Sequence, residues 1–318
     1  MTKKGSSVAV VVPSYNEEHL IEQVVNTMPD YVDRIYIVDD ASTDETVAKV
    51  QRMVKKVGQQ RLRIIEMPKN SGVGAAIVRG YQEGIKDKMD VMAVMAGDAQ
   101  MDPDDLEHVL MPVISGEADY VKGNRLFTGE AWQIIPRYRY LGNAFLSLLT
   151  KISSGYWHIA DSQTGYTAIS LETAEMLPLE ELFPRYGYPN HILAMLNVYR
   201  RRVRDVPVRP VYNIGEKSGI RLWREIPGLI ILLTRNFLWR MLQKYVIRDF
   251  HPLIFFYLMA VLLLGASAPL FARMVLRMVE TGNVPPINTL TFIFTAITGL
   301  QSLFFAMWFD MEYNKELR

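Results

Sequence analysis

Acidic residues crowd the stretch AGDAQMDPDD at residues 96–105, directly after the apolar run MDVMAVM. Asp98, Gln100 and Asp102 supply carboxylate and amide oxygens, which Mg²⁺ and Mn²⁺ accept as ligands together with phosphate oxygens. The stretch could therefore form a metal site that holds a substrate. A solvated turn is the alternative, and for Asp102, which precedes Pro103, we favour the role of a helix N-cap.

Three more polar stretches, PSYNEE, DDASTD and MPKNSG, also follow apolar runs. The runs that predict strands are Val8–Val12, Arg34–Val38, Arg63–Ile65, Val91–Met95 and, as a fifth candidate, Asp119–Lys122. Helical patterns between them cover Glu17–Met28, Asp44–Val57, Val73–Lys86 and Pro103–Ser115. This alternation predicts an α/β fold with a mostly parallel sheet flanked by helices. Such sheets bind ligands beyond the carboxyl ends of their strands, which is where the polar stretches lie.

The chain lacks two common phosphate-binding motifs. No GxGxxG follows the first strand and no GxxxxGK[ST] occurs, so a dinucleotide site of the Rossmann type and a P-loop are unsupported. The segment from Asn70 to Gly74 is rich in glycine and opens a helix, so its N–H groups can face a phosphate. A plain turn explains this segment about as well.

Composition excludes several other classes of function. The 318 residues carry 35 Lys and Arg against 34 Asp and Glu, a net charge of +1 that gives no support for nucleic-acid binding. Cysteine is absent, which rules out disulfides and cysteine zinc sites, and the five histidines form no HxH or HExxH. The start, MTKKGSSVAVVVP, predicts no signal peptide, because its apolar run is too short and no cleavage site follows.

The C-terminal part reads as a membrane anchor. Pro252–Phe271 and Ile287–Phe309 contain no charge, and each has roughly the 20 residues that cross a bilayer. Lys and Arg before the first span and after the second predict a cytoplasmic large domain and C-terminus. Leu222–Arg248 has helical apolar spacing with a basic face, which predicts one or two interfacial helices, broken or begun at Pro227. Packing of this stretch on the soluble domain is the alternative.

Seven motifs in order carry a resemblance to a known family. They are VVPSYNEE (11–18), VDDASTDET (38–46), KNSGVGAAIVRG (69–80), GDAQMDP (97–103), KGNR (122–125), DSQTGYTAIS (161–170) and GEKS (215–218). Over roughly residues 6–220 the chain resembles the family 2 glycosyltransferases of GT-A fold. It is most similar to the polyprenyl-phosphate group, which includes dolichyl-phosphate mannose and glucose synthases and the bacterial GtrB type.

The resemblance implies a Rossmann-like GT-A sheet and a role for each matching residue. It places the nucleotide sugar on Pro13, Tyr15, Glu17, Asp39, Asp40, Asn70, Gly72 and Asp98. It gives Mg²⁺ or Mn²⁺ to Asp98, with Gln100 as a further oxygen. Ala96 stands where many relatives carry an acid, so one carboxylate of the usual pair is missing. For Asp39 and Asp40, a cap on the following helix is the competing interpretation.

The resemblance also implies an acceptor end of the site. It gives catalytic roles to Asp98, Asp161 and Arg125, where Asp161 either orients the sugar or acts as a base. It gives the acceptor phosphate to Arg125, Gln163, Lys217 and Arg221. A surface salt bridge is the alternative for Arg125, and attraction to anionic headgroups is the alternative for Lys217 and Arg221.

These observations predict three segments and one activity. A cytoplasmic GT-A catalytic domain spans 1–220, juxtamembrane amphipathic helices span 221–250, and two transmembrane helices span 251–318. The implied enzyme is a membrane-tethered inverting glycosyltransferase that moves a sugar from a nucleotide donor, UDP-linked in preference to GDP-mannose, to polyprenyl or dolichyl phosphate. The alternatives are a transferase that extends a lipid-linked or polysaccharide acceptor and a non-catalytic nucleotide-sugar-binding protein. A homo-oligomer is compatible with each.

Overall fold

The computed structural model describes residues 5–127, 137–211 and 222–318. The chain divides into two compact units, Met1–Phe237 with Glu316–Arg318 and Leu238–Lys315. The first unit contains strands β1 to β7, which are Val8–Ser14, Arg34–Asp39, Leu62–Glu66, Val91–Val94, Tyr120–Asn124, Thr167–Ser170 and Val203–Pro207. Its helices α1 to α7 are Ile21–Asn26, Thr46–Val57, Val73–Lys86, Leu106–Ile114, Arg137–Ser154, Leu171–Met176 and Tyr188–Val198. Short 3₁₀ turns cover Pro103–Asp105 and Leu179–Glu181.

The seven strands form one sheet in the order β3-β2-β1-β4-β6-β5-β7. Only β6 runs antiparallel to its neighbours β4 and β5, and the other described pairings are parallel. The predicted mostly parallel α/β sheet is therefore confirmed. This topology brings the carboxyl ends of β1 to β5 and β7 to one edge together with the amino end of β6. We call it the carboxyl edge; it is marked by Ser14, Asp39, Glu66, Val94, Asn124 and Thr167.

The centre of the sheet is apolar because helices cover both faces. All seven residues of β1, VAVVVPS, are buried, and β-branched residues of this kind favour strands. Helix α3 packs closely on β1, since a Cβ added at Gly80 would lie 2.2 Å from Cγ1 of Val11. Only glycine permits that approach. The close contact fixes the position of α3, the helix that follows the Asn70–Gly74 segment, on strand β1.

The second unit contains two long apolar helices, α9 (Leu253–Thr281) and α10 (Pro286–Tyr313). By length and composition both can cross a membrane, and only 17% and 22% of their most apolar windows are buried. They are antiparallel, since Phe256 contacts Phe309 while Phe271 contacts Phe292. Both predicted apolar segments are helical, but the helices are longer than predicted: α9 continues past Phe271 to Thr281, and α10 continues past Phe309 to Tyr313.

Two predicted helix boundaries need correction. Helix α8 runs from Leu222 to Leu242 with Pro227 inside it and continues as a π-helical turn over Gln243–Arg248, so the predicted break at Pro227 is wrong. The first predicted helix begins at Ile21 instead of Glu17. The N–H groups of Glu17 and Glu18 donate to side chains of Thr46 and Asp44, which draws this segment out of the helix.

Candidate active site

The predicted site residues that the structure describes converge on the carboxyl edge. The loops after β1 to β5 and the segment before β6 meet there, because parallel strands end on the same side of a sheet. The residues brought together are Pro13, Tyr15, Glu17, Asp39, Asp40, Asn70, Gly72, Asp98, Gln100, Arg125, Asp161 and Gln163. Lys217 and Arg221 lie outside the described residues.

Three loops at this edge hold a non-glycine residue in the left-handed region. These residues are Asn16 (φ 58°), Ala41 (φ 61°) and Ala99 (φ 56°), which follow β1, β2 and β4. Such a conformation costs about 1 kcal/mol for an L-residue, so each loop must be held by its contacts. Asn16 shows how, since its N–H donates to Oγ of Ser42 and its Oδ1 accepts from the N–H of Thr43.

Asp39 and Asp40 are adjacent and buried, yet they do different things. Oδ2 of Asp39 accepts from the N–H of Ser42 at 2.9 Å, whereas its buried Oδ1 has no partner among the described residues. Both oxygens of Asp40 are used, at 2.7 Å each, by the N–H groups of Ser71 and Gly72. Asp39 therefore keeps one acceptor oxygen that no described residue uses, and Asp40 fastens the glycine-rich segment.

Neither aspartate caps helix α2. Thr46, its first residue, donates its N–H to Oδ1 of Asp44 at 3.0 Å. The cap interpretation of Asp39 and Asp40 is therefore wrong, because Asp44 lies closer in sequence to the helix start and takes that N–H.

The glycine-rich segment is built for close packing. Gly72 has φ 100°, and a Cβ there would lie 2.6 Å from the carbonyl oxygen of Pro184. A Cβ at Gly74 would lie 2.3 Å from the carbonyl oxygen of Phe183. The N–H of Ala75 donates to Pro184, as those of residues 71 and 72 donate to Asp40. These bonds favour the plain turn over a phosphate cradle.

The loop after β4 concentrates negative charge. The N–H of Gln100 donates to Oδ1 of Asp98 at 3.1 Å, which folds a tight turn around Ala99. Burial, and then the charges of Asp98 and Asp44, raise the pKa of Glu17 to about 7. Carboxylates that repel one another in this way fit a cation between them.

The described residues do not form a cation cage of three or more His, Asp or Glu side chains. A cation bound by Asp98 and Gln100 would thus need substrate oxygens, the usual arrangement for Mg²⁺ on a phosphate. Both oxygens of Asp102 are engaged, since Oδ1 accepts from the N–H of Asp104 at 3.0 Å and Oδ2 lies 3.1 Å from Nη2 of Arg209, which disfavours a role as third ligand. The favoured N-cap role of Asp102 is confirmed.

Arg125 and Asp161 form a two-pronged ion pair at the other end of the edge. Nε of Arg125 lies 2.8 Å from Oδ2 of Asp161, and Nη2 lies 3.2 Å from Oδ1. The N–H groups of Arg125 and Gln163 donate to the same carboxylate. Asp161 is fully buried and the Arg125 side chain is 21% exposed, so this is not the surface salt bridge considered above.

The ion pair with Arg125 determines whether Asp161 can act as a base. Burial alone would raise the pKa of its carboxyl, but the charge and hydrogen bonds of Arg125, together with the charge of Lys122, outweigh burial and hold that pKa below its usual value. A carboxylate with a low pKa and four donated hydrogen bonds is a weak proton acceptor. The geometry favours a positioning role for Asp161 over that of a base.

Two polar residues of this region, Asn190 and Lys122, were not identified by the sequence analysis. Gln163 donates to Oδ1 of Asn190 at 2.9 Å, and the buried Lys122 donates to the carbonyl oxygen of Thr164 at 2.8 Å. Lys122 stands in the KGNR motif, so its place beside Arg125 in sequence could have signalled it. Asn190 lies in a helix of mixed composition and carries no comparable signal.

Several proteins of similar sequence are named as glycosyltransferases. Residues 9–175, more than half of the chain, match the family described as Glycosyl transferase family 2. The chain is 28% identical over 215 residues, 64% of its length and 85% of the relative's, to a UDP-N-acetylglucosamine–dolichyl-phosphate N-acetylglucosaminyltransferase of Methanococcus voltae. It is 25% identical over 215 residues, 66% of its length and 86% of the relative's, to an undecaprenyl-phosphate mannosyltransferase of Micrococcus luteus.

A solved structure shares the fold. The glucosyl-3-phosphoglycerate synthase of Mycobacterium tuberculosis, in complex with Mn²⁺ and UDP-glucose, matches with a TM-score of 0.54. The match covers 75% of this chain and 80% of that one at 20% identity, which speaks for the fold and confirms the expected GT-A architecture. With a family match over more than half of its residues, the chain belongs to glycosyl transferase family 2 and is a glycosyltransferase.

Proposed function

We propose that this enzyme transfers a sugar from a nucleotide-sugar donor to the phosphate of polyprenyl or dolichyl phosphate. The observation that carries the proposal is the Arg125–Asp161 pair, which presents a partly exposed guanidinium at the carboxyl edge. A phosphate monoester is a good partner for a guanidinium held in this way. The names of the two curated relatives, which act on dolichyl and undecaprenyl phosphate, support the same acceptor class.

The donor would lie across the other half of the edge. Oδ1 of Asp39 is a buried acceptor suited to an imide N–H or a ribose hydroxyl of the nucleotide. Asp98 and Gln100 would hold Mg²⁺ or Mn²⁺, which supplies neutralising charge for the diphosphate. We favour a UDP-sugar over GDP-mannose, and the identity of the sugar stays open, since the two relatives are named for different sugars.

The residues of the acceptor end would position the acceptor and screen its charge. A phosphate monoester is already largely ionised near neutral pH, so its oxygen can attack without a strong base. That suits Asp161, whose carboxylate is committed to Arg125. A single displacement at the anomeric carbon would invert its configuration, as the family resemblance implies.

The two apolar helices would tether the enzyme in the bilayer that holds its acceptor. A tether raises the effective concentration of a lipid substrate that never leaves the membrane. The antiparallel arrangement of α9 and α10 sends the start of one and the end of the other to the same side. In the sequence, Arg235, Arg240, Lys244 and Arg248 precede α9, and Lys315 and Arg318 follow α10, which favours the cytoplasmic face for the large domain and the C-terminus.

The test is a turnover assay on the full chain in detergent. Polyprenyl phosphate, Mn²⁺ or Mg²⁺ and a panel of nucleotide sugars are supplied, and both nucleoside diphosphate and glycolipid mass are followed. We expect release that requires lipid and metal and that Asp98→Ala abolishes. Asp104→Ala, which removes an acid whose side chain is 83% exposed nearby, is the matched control and should retain activity. Donor binding without lipid-dependent release across the panel would refute the proposal and favour a saccharide acceptor or a non-catalytic binder.

A further inference from the structure

A second set of buried polar groups lies beside the Arg125–Asp161 pair. The register of the parallel strands β5 and β7 sets Lys122 directly opposite Asp205. Side chains alternate along a strand, so Lys122 and Asn124 share one face. Val121 and Gly123 take the other face, where Val121 belongs to the apolar core and a Cβ on Gly123 would lie 2.9 Å from Val208.

One carboxylate oxygen of Asp205 reaches both loops of the acceptor end. Oδ2 accepts from Nδ2 of Asn124 at 2.9 Å and from the N–H of Ala160 at 2.9 Å. Asn124 directly precedes Arg125, and Ala160 directly precedes Asp161. The two members of the ion pair are 36 residues apart in sequence, and Asp205 ties together the residues just before them.

Asn124 extends this connection past Arg125. Its Oδ1 accepts from the N–H of Leu126 at 2.9 Å, so the backbone is held on both sides of the arginine. Asn124 is 3% exposed, which leaves its amide little freedom to turn away. The direction of the Arg125 side chain therefore depends on a chain of bonds that begins at Asp205.

The bonds that Asp205 accepts need its oxygen and not its charge. Burial, and then the neighbouring charge of Asp161, raise the pKa of Asp205 to about 6, although bonds from Ala160 and Asn124 and the charge of Lys122 oppose the rise. Its second oxygen, Oδ1, is buried and has no partner in the described part of the chain. Folding would proceed as well with an amide here, since asparagine offers the same accepting oxygen.

We propose that Asp205 is a positioning residue, which aligns Arg125 with Asp161 so that the guanidinium faces the acceptor phosphate. The role of Arg125 in this statement rests on the function proposed above, whereas the alignment of the two loops does not. Asp205 itself touches no substrate in this arrangement and acts through Asn124 and Ala160.

The alignment is tested first by hydrogen–deuterium exchange on the full chain in detergent. We expect Asp205→Ala to speed amide exchange about tenfold or more in residues 125–127 and 160–163, because bonds to a charged acceptor are lost. Asp205→Asn keeps the oxygen and should exchange like the unaltered protein. Arg204→Ala, an exposed neighbour on the same strand, is the matched control. Equal exchange in Asp205→Ala and Arg204→Ala would overturn the proposal.

A narrower variant guards against misfolding of Asp205→Ala. Asn124→Ala removes the bonds around Arg125 but leaves the bond between Asp205 and Ala160. We expect faster exchange in residues 125–127 alone. Faster exchange throughout the sheet would show a general loss of stability and would count against a specific connection.

Kinetics then test the consequence for the reaction. Asp205→Ala should lower kcat/KM for polyprenyl phosphate about tenfold or more while KM for the donor stays within about twofold, and Asp205→Asn should restore most of the loss. An unchanged acceptor kcat/KM in Asp205→Ala would overturn the proposal. If the unaltered enzyme shows no lipid-dependent turnover but the exchange pattern is found, the proposed function falls and the alignment by Asp205 stands.

Discussion

Asp39 and Asp40 offer a sharp test of the donor end, because they are neighbours with opposite expectations. Each is changed to asparagine, which keeps size and one oxygen while it removes the charge. In Asp39→Asn the amide oxygen can still accept from Ser42, so we expect the free energy of unfolding to change by less than about 1 kcal/mol. Its amide nitrogen then replaces Oδ1, the buried atom that has no partner among the described residues.

The loss in donor affinity follows from that replaced atom. A hydrogen bond to a charged acceptor contributes about 1.5–3 kcal/mol, and about 1.4 kcal/mol corresponds to tenfold in Kd. Asp39→Asn should therefore weaken the binding of a nucleoside diphosphate with Mn²⁺ about 10–100-fold.

For Asp40→Asn we expect a large loss in the free energy of unfolding and only a limited loss in donor affinity. Both oxygens of Asp40 accept backbone N–H groups at 2.7 Å, and an amide nitrogen would face one of those donors with a donor of its own. The expected loss is about 2–4 kcal/mol in the free energy of unfolding, together with release of the segment at Ser71 and Gly72. Donor binding should weaken only as far as that segment moves.

The assay pairs thermal unfolding with calorimetric titration of UDP and GDP in the presence of Mn²⁺. Asp30→Asn, at a side chain fully open to solvent, gives the baseline for loss of one charge. If Asp39→Asn binds the nucleotide like the unaltered protein, Oδ1 is not a ligand contact and the donor placement is wrong. If Asp39→Asn and Asp40→Asn lower the free energy of unfolding equally, the different hydrogen bonding assigned to Asp39 and Asp40 is wrong.

Three further outcomes are expected. Binding of UDP with Mn²⁺ should weaken as pH falls below about 7, by up to about tenfold per pH unit, because Glu17 must lose a proton beside the cation, and Glu17→Gln should flatten that profile in calorimetry. Arg125→Lys keeps the charge but loses the fork, so kcat/KM for the lipid phosphate should fall about 100-fold with nucleotide Kd unchanged. Gly74→Ala should lower the free energy of unfolding by about 2–4 kcal/mol through its contact with Phe183, whereas Gly142→Ala, in open space, should not; denaturant titration compares the two.

Much of the donor end could be predicted from the sequence because it follows from strand order. Apolar runs end in polar stretches, and parallel strands bring their ends together, so the sequence predicts that Asp39 and Asp98 lie at one edge, as the sheet order confirms. What the sequence could not show is which oxygens are taken. The sequence gives no reason to treat Asp39 and Asp40 differently. Only the structure shows that the N–H groups of residues 71 and 72 donate to Asp40, whereas one oxygen of Asp39 has no partner among the described residues.

The acceptor end was less accessible from the sequence. Strand β6 has four residues and β7 has a charged pair in its middle, so neither gives a clear apolar alternation. Charged residues within a strand usually indicate a solvent face, so the sequence did not indicate that Lys122 is buried and Asp205 is partly buried opposite it. The pairing of Arg125 with Asp161 depends on how the antiparallel β6 returns to the edge, and spacing alone does not encode it.

The two ends differ in how complete they are without ligand. At the donor end, Asp39 keeps a buried oxygen without a partner in the described residues, and burial together with the neighbouring carboxylates raises the pKa of Glu17 to about 7. At the acceptor end, four donors satisfy Asp161 and the guanidinium is already aimed. Under the proposed function, the donor end would therefore need a cation and a nucleotide to balance its charge, whereas the acceptor end would be preformed. Chelation by EDTA should therefore abolish nucleotide binding and leave binding to polyprenyl-phosphate micelles intact. Equal loss of both would show that the acceptor end depends on the cation after all.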